Sequence, residues 1–427
     1  MNSRGGIVFV LPAGLTLSGV TTWTVGMARH LAESGQAVGL IQHAPVPPLL
    51  DITIPPKIVL VKCQNQAFTN GLYTQTDLLD YLADYQQLMP GVVIPNGETG
   101  PYATCALMSK QSPDLLRVIW VAHADEHVYY DWLEYYEPII HKFVAVSQEI
   151  ANNLTYLMPH RQPDIQTKPY AVEVNHNLQR PYSAQAEPLQ LLYAGRMIEQ
   201  QKRVSELVRL VEILSAKRVN FHLRLVGDGP DVERMVTGIR NLGPEANRRV
   251  SFVGRISPAE MPSVWQTADI CILASEYEGT SVSMLEAMAA GCVPVVTQVS
   301  GTAAVIQSGV NGYTVPVGAM TQMAGIIQKL EADRAQLVRL GAAAYATVVE
   351  NYSYEHYIPW FLNLVEEVWQ QPPRRWPEGR PLHRYPLLKE RLEELSGEQL
   401  SRLVSTRKLV KALGFQTARH PAFKWLY

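Results

Sequence analysis

Residues 189–196 read Leu-Gln-Leu-Leu-Tyr-Ala-Gly-Arg, an apolar run that stops at a glycine and a cation. A continuous run of this kind predicts a buried parallel strand over Leu189–Ala194. It opens a series of alternating patterns: helix Val204–Lys217, strand Phe221–Val226, helix Asp231–Leu242, strand Arg249–Val253, helix Ala259–Gln266, strand Ile270–Leu273, helix Val282–Ala290 and strand Val293–Thr297. Helical periodicity follows over Met320–Ala332 and Arg334–Asn351, and again over Glu355–Trp369. An earlier series has the same rhythm, with strands at Gly6–Leu11, Ala37–Gln42, Lys57–Val61, Gly91–Ile94, Arg117–Val121 and Lys142–Val146. Helical stretches Thr22–Ser34, Gln75–Gln87, Pro101–Lys110 and Gln148–Leu157 separate them. Two such series imply an α/β protein with two doubly wound parallel sheets. Ligands of these sheets bind beyond the carboxyl ends of the strands. Two facing sheets would therefore enclose a cleft between the domains.

Composition agrees. A chain of 427 residues, 47% apolar and 18% charged, is long enough for two cores. The polar, Pro-containing stretch Gln179–Pro188 marks the boundary. This divides the chain into residues 1–185, residues 186–355, and residues 356–427, a further helix with a helical tail. A formal charge of −2 gives no global attraction for nucleic acid. Four cysteines without a CxxC pair argue against a zinc site or a disulfide framework, and fit a reducing cytosol. No apolar run approaches the roughly 18 residues that span a bilayer. The start, Met1–Gly14, is read as a first strand and turn, too short in its apolar part for a signal peptide. From Pro372 to Tyr427 there are 12 Lys and Arg against 5 Glu, a local excess of +7. Helices packed on the first domain are the simpler reading. Peripheral contact with the inner face of a membrane is the alternative.

The chemistry-bearing residues cluster at strand ends. Gly195-Arg196 follows a strand, and Lys202 lies six positions beyond the arginine. Two cations reaching the space above the sheet suit a diphosphate, the arginine as a bidentate fork and the lysine as a point charge. Ordinary solvated cations are the competing reading. Glu278-Gly279-Thr280-Ser281-Val282 leads into a helix carrying Glu286. The helix start offers backbone N–H groups to an anion, and the carboxylates could grip sugar hydroxyls. Ser283-x-x-Glu286 also matches a capping box. Gly227-Asp228-Gly229-Pro230 permits close approach of a ligand or is plain turn chemistry. Ser18-Gly19 sits at the first strand–helix turn without GxGxxG, which disfavours a dinucleotide. His123 follows a strand at a carboxyl edge. Asn96, Glu98 and Asp125, in loops facing the cleft, are candidates for binding an acceptor.

Gly195-Arg196 with Lys202, Gly227-Asp228-Gly229-Pro230, Val253-Gly254-Arg255 and the Glu278–Glu286 pair occur in the order seen in family-4 retaining glycosyltransferases. The chain resembles that family over most of residues 5–365, and Ala145-Val146-Ser147 is similar to its N-domain segment. The resemblance implies the GT-B fold, with two Rossmann-like domains, residues 1–185 binding the acceptor and residues 186–355 the nucleotide sugar, and with residues 356–427 crossing back to pack on the first. It implies transfer of a sugar, with retention, from a UDP- or GDP-sugar to a saccharide or other hydroxyl acceptor in polysaccharide or glycoconjugate synthesis. Arg196 and Lys202 would bind the donor diphosphate, Glu286 the ribose, and Glu278 the donor sugar. Gly279, Thr280, Ser281 and Val282 would face the sugar and phosphates, Arg255 and Ile256 the base, and Gly19 the phosphates. Gly227 would line the donor site, and His123 would lie near the reaction centre. The resemblance implies no metal and no cofactor. Ser18-Gly19, Tyr170-Ala171-Val172-Glu173 and Thr280-Ser281 depart from the usual Gly-Gly, Asn-Gly-Val-Asp and Phe-Gly. An epimerase or phosphorylase of the same fold, or a non-catalytic scaffold, are the alternatives.

Overall fold

The computed structural model describes residues 5–16, 18–43, 52–63, 75–97 and 99–382. The first domain is a seven-stranded sheet of β1 (Gly6–Leu11), β2 (Val38–Gln42), β3 (Ile58–Lys62), β4 (Gly91–Pro95), β5 (Leu116–Ala122), β6 (Lys142–Ala145) and β7 (Ile165–Thr167). Their spatial order is β3-β2-β1-β4-β5-β6-β7, and every pairing is parallel. The second is a six-stranded parallel sheet of β8 (Leu189–Ala194), β9 (Phe221–Val226), β10 (Val250–Gly254), β11 (Ile270–Leu273), β12 (Val293–Thr297) and β13 (Tyr313–Val315), in the order β10-β9-β8-β11-β12-β13.

Both sheets carry helices on their faces, so the central strands have no solvent side. All seven residues of β5 and all five of β12 are buried, which is why these segments read as unbroken apolar runs. The order reverses between β1 and β4, and again between β8 and β11. Chain crossovers diverge at those points and leave a crevice at the strands' carboxyl ends.

Three elements carry little sequence signal. β7 and β13 are three residues each, too short for a pattern, and each exists because an edge strand pairs with it. The helix His127–Tyr136 begins at Glu126 without a side-chain cap.

Two strands of chain cross between the domains side by side. Val172, in the linker after β7, donates its N–H to the Tyr352 carbonyl (2.9 Å), and Val172 bridges to Ser353. The helix Tyr354–Gln370 then packs on the first domain, where Phe361 lies against Phe9 of β1 with ring centroids 6.1 Å apart. Beyond it, residues 371–382 continue across that domain as irregular chain instead of a helix. Arg117 Nε donates to the Gln371 carbonyl (2.8 Å), and the Trp376 amide donates to Ser109 Oγ (3.1 Å). The Trp376 ring is 3% exposed and lies against Tyr135 and Tyr136. The basic segment 383–427 lies outside the described residues. Among the described residues no helix is long and apolar enough to cross a membrane.

Trp376 therefore anchors the end of the crossing segment. Trp376→Ala should lower the unfolding free energy of the first domain by about 3–5 kcal/mol, and Trp376→Phe by clearly less. Denaturant unfolding followed by circular dichroism measures both.

Candidate active site between the two sheets

The floor of the site is the carboxyl edge of the second sheet. β8 ends at Gly195, and the Tyr193 hydroxyl below it donates to the Arg196 carbonyl (2.9 Å). The loops after β8, β9 and β10 are stacked by backbone bonds, Gly195 N to Val226 O (3.1 Å) and Gly227 N to Gly254 O (2.8 Å). Gly227 has φ +128°, and a Cβ there would collide with the Gly195 carbonyl. The glycine is required by a neighbouring backbone, so closeness to a ligand is not needed to explain it. Asp228 accepts a bond from Arg255 Nε (2.8 Å), which ties the exposed guanidinium to the Gly-Asp-Gly turn, next to Ile256.

Lys202 ends the short helix Glu199–Lys202, and its ammonium is paired with the buried Glu278 carboxylate. The same Glu278 oxygen, Oε1, accepts the Ser275 hydroxyl (2.7 Å). Arg196 is exposed, and its Nη2 reaches Gln201 Oε1 at 3.4 Å. Lys202 is thus neutralised by a carboxylate, and Arg196 is the exposed charge.

The helix Val282–Ala289 begins with Ser281 as N-cap, whose hydroxyl accepts the Met284 N–H (3.3 Å). The capping box centred on Ser283 does not form, because the helix starts one residue before that serine. Glu286 is consequently free of any capping role. It receives the Trp265 indole N–H at 3.5 Å, and burial pushes its carboxyl up to about 7.

The opposite wall comes from the first domain. His123 follows β5 with both ring nitrogens engaged. Nδ1 lies 2.6 Å from the Tyr170 hydroxyl and Nε2 2.8 Å from Asn96 Oδ1. Asn96 Nδ2 donates to Thr24 Oγ1 (3.1 Å), so its Oδ1 is the acceptor and His123 is the Nε2–H tautomer, with Tyr170 donating to Nδ1. Burial pushes the imidazole down to about 3, which keeps it neutral. Asn96 is 1% exposed, and its amide is engaged by Thr24 and His123. Asp125 accepts from Tyr130 (2.6 Å) and Asn153 (3.0 Å) at the rim. Glu98 lies outside the described residues.

The walls meet at Gly279, where a Cβ would strike the His123 carbonyl oxygen and Val146. Next to it the Thr280 hydroxyl donates to the Val146 carbonyl, across the domains. Gly19 faces Val282, whose methyl would stand 3.3 Å from a Cβ on the glycine. Tyr277 stands near Glu126 across the rim, and burial together with that carboxylate pushes its phenol up. Sequence reasoning had no signal for Tyr170, Thr24, Ser275 or Tyr277. Each is an ordinary polar residue that matters only through a partner at least three, and mostly tens, of positions away.

A carboxyl raised in the folded state binds its proton more tightly than in the unfolded chain. Glu286 therefore subtracts stability as pH rises from its unfolded value of 4.5 to about 7, and no further above that. Relative to Glu286→Gln, the wild-type chain should lose on the order of 3 kcal/mol between those limits. Equal slopes for the two proteins in pH-dependent denaturation would contradict this.

Comparison with known proteins follows the geometry. The family Glycosyl transferases group 1 matches residues 175–347. N-acetyl-alpha-D-glucosaminyl L-malate synthase of Bacillus anthracis is 30% identical over 167 residues, 39% of this chain and 42% of that protein. Alpha-D-kanosaminyltransferase of Streptomyces kanamyceticus is 27% identical over 208 residues, 48% of this chain and 51% of that protein. The matched stretch thus spans about half, or less, of the length of these relatives. Among solved structures, Anabaena HepE in complex with UDP and glucose superposes with a TM-score of 0.69 at 15% identity, covering 85% of this chain and 100% of HepE. The chain has the GT-B fold, and its residues 175–347 are similar to the glycosyl transferases group 1 family.

Proposed function

We propose that the protein is a retaining glycosyltransferase, moving a sugar from a UDP- or GDP-sugar to a hydroxyl of a saccharide or other glycoconjugate acceptor. The observation that carries this is the Lys202–Glu278 pair beside the Ser281–Val282 helix start, facing the first domain. A buried lysine and carboxylate at a helix N-terminus form a site ready to trade partners. A diphosphate would take Lys202 and the open Arg196, and the freed Glu278 would accept donor-sugar hydroxyls. Ionised Glu286 would accept the ribose hydroxyls.

The sugar C1–O bond breaks, and its electron pair leaves on the diphosphate. Arg196, Lys202 and the helix N–H groups stabilise that charge. The acceptor oxygen forms the new bond to C1 from the leaving-group side, and its proton passes to the departing phosphate. These cations supply the positive charge, and the reading invokes no metal. Closure of Gly279–Thr280 on His123 and Val146 excludes water that would otherwise hydrolyse the donor.

Arg196→Ala combined with Lys202→Ala should reduce transfer by about 100-fold or more, on the scale of removing one or more stabilising donors from an oxyanion. Transfer at near-wild-type rates would refute the diphosphate assignment. A thermal-shift screen against UDP-, GDP- and ADP-sugars identifies the base. Incubating the donor alone, with recovery of an isomerised sugar, would favour an epimerase instead.

The second expectation concerns pH. Because Glu286 must ionise to accept ribose hydroxyls and titrates near 7, nucleotide-sugar affinity should rise as pH increases through that value. In Glu286→Gln the dependence should vanish. Calorimetric titrations on either side of neutrality measure it.

A further inference from the structure

On the outer edge of the first domain, away from the site just described, a groove of about 490 Å³ runs between the helix Gln148–Leu157 and the edge strand β7. Its volume falls within the roughly 300–1,000 Å³ of small-ligand sites. Gln148, Asn152, Thr155, Gln162 and Thr167 supply amides and hydroxyls along it, and Tyr156 supplies an aromatic ring. Ala151 and Ile165 complete the lining, so none of its residues is charged. That excludes the chemistry that recognises phosphates, nucleotides or acidic polymers, which needs cations.

The polar groups are organised. Gln148 Nε2 donates to Asn152 Oδ1 (3.0 Å), and Thr167 Oγ1 lies 3.4 Å from Gln148 Oε1. These bonds order one side of the groove, along which the Asn152 and Gln162 side chains are exposed. Tyr156 is 86% exposed, the most exposed large apolar side chain among the described residues. An aromatic face left in water next to a row of neutral donors and acceptors matches a pyranose. A sugar ring carries an apolar C–H face and an equatorial belt of hydroxyls.

The groove also has a direction. Gln148 begins the helix after β6, and Thr167 ends β7, so both lie at the carboxyl edge of the sheet, beside the cleft. The same helix packs on the short helix Ser300–Ala303 of the second domain, where Gly301 sits against Gly279. The Gln148–Thr167 end of the groove therefore lies on the carboxyl-edge side of the domain, toward the cleft, and Tyr156 lies farther along the helix from that edge.

We propose that this groove is a remote subsite for a neutral glycan chain, holding the distal sugars of an acceptor whose reactive end lies in the cleft. The proposal rests on the saccharide-acceptor reading above. It requires uncharged sugars in the distal positions, with at least one pyranose stacked on Tyr156.

The test reads binding without donor, so that it stands apart from transfer. Neutral linear oligosaccharides of glucose, mannose, galactose and xylose, with their monosaccharides, are titrated into the full chain and followed by protein-observed NMR. At least one oligosaccharide should bind with a dissociation constant of about 0.1–10 mM, and its monosaccharide should bind clearly more weakly. Tyr156→Ala should weaken that binding by at least about tenfold, whereas Tyr156→Phe retains it. Asn152→Ala should weaken it as well. Both side chains are exposed, so the variants should keep the wild-type circular dichroism spectrum.

Failure of every oligosaccharide to bind, or binding indifferent to Tyr156→Ala, overturns the proposal. So does preferential binding of an extended peptide that pairs with the β7 backbone. Calorimetry of nucleotide sugars on the same wild-type sample reports separately on the donor reading. Loss of one result therefore does not stand in for loss of the other.

Discussion

Everything around the candidate site depends on how closely the two carboxyl edges approach at Gly279. The backbone there lies against the His123 carbonyl, with no room for a side chain between them. The Thr280 hydroxyl extends the contact to the Val146 carbonyl. Loops of two sheets meet here backbone to backbone. A larger residue at this point would hold the walls apart and admit water. The crossing segments support the closure from behind, since Val172 and Tyr352 are joined where the chain passes twice between the domains.

Closure also sets the electrostatics. Glu278 is buried beside Lys202, an arrangement that leaves neither charge unpaired when no anion is present. Breaking such a pair without a replacement is costly, so the lysine leaves its carboxylate only for another strong acceptor. Among the described residues no cation pairs with Glu286, and burial makes its carboxyl hold its proton toward neutrality. On the other wall, Tyr170 and Asn96 saturate the His123 ring. The imidazole there acts as a neutral strut that carries its own carbonyl to Gly279. The linker residue Tyr170 thus touches the same histidine that the second domain closes upon, which joins the domain connection to the wall of the site.

Several glycines and polar residues have meanings that their neighbours decide. Gly227 reads as a place where a ligand comes close, but the Gly195 carbonyl occupies the space. Ser283 and Glu286 have capping-box spacing, but Ser281 starts the helix. Asn96 sits in a loop that faces the cleft, yet its amide is spent on Thr24 and His123. In each case the residue type was informative and its partner was not, because the partner lies in another loop.

The alternation of apolar runs with helical periodicity determined the two parallel sheets and the placing of Arg196 and Lys202 in the segment after β8, and of Glu278 and Glu286 in the segment after β11. That much is local: burial on both faces forces an unbroken apolar strand, and a strand followed by a helix forces a loop at the carboxyl edge. The tertiary structure alone decided that Lys202 meets Glu278, that His123 is held by Tyr170 and Asn96, that residues 371–382 run as irregular chain over the first domain, and that β7 and β13 exist. Those outcomes depend on contacts between segments far apart in the chain. Pairing of this kind leaves no period or composition for a single sequence to display.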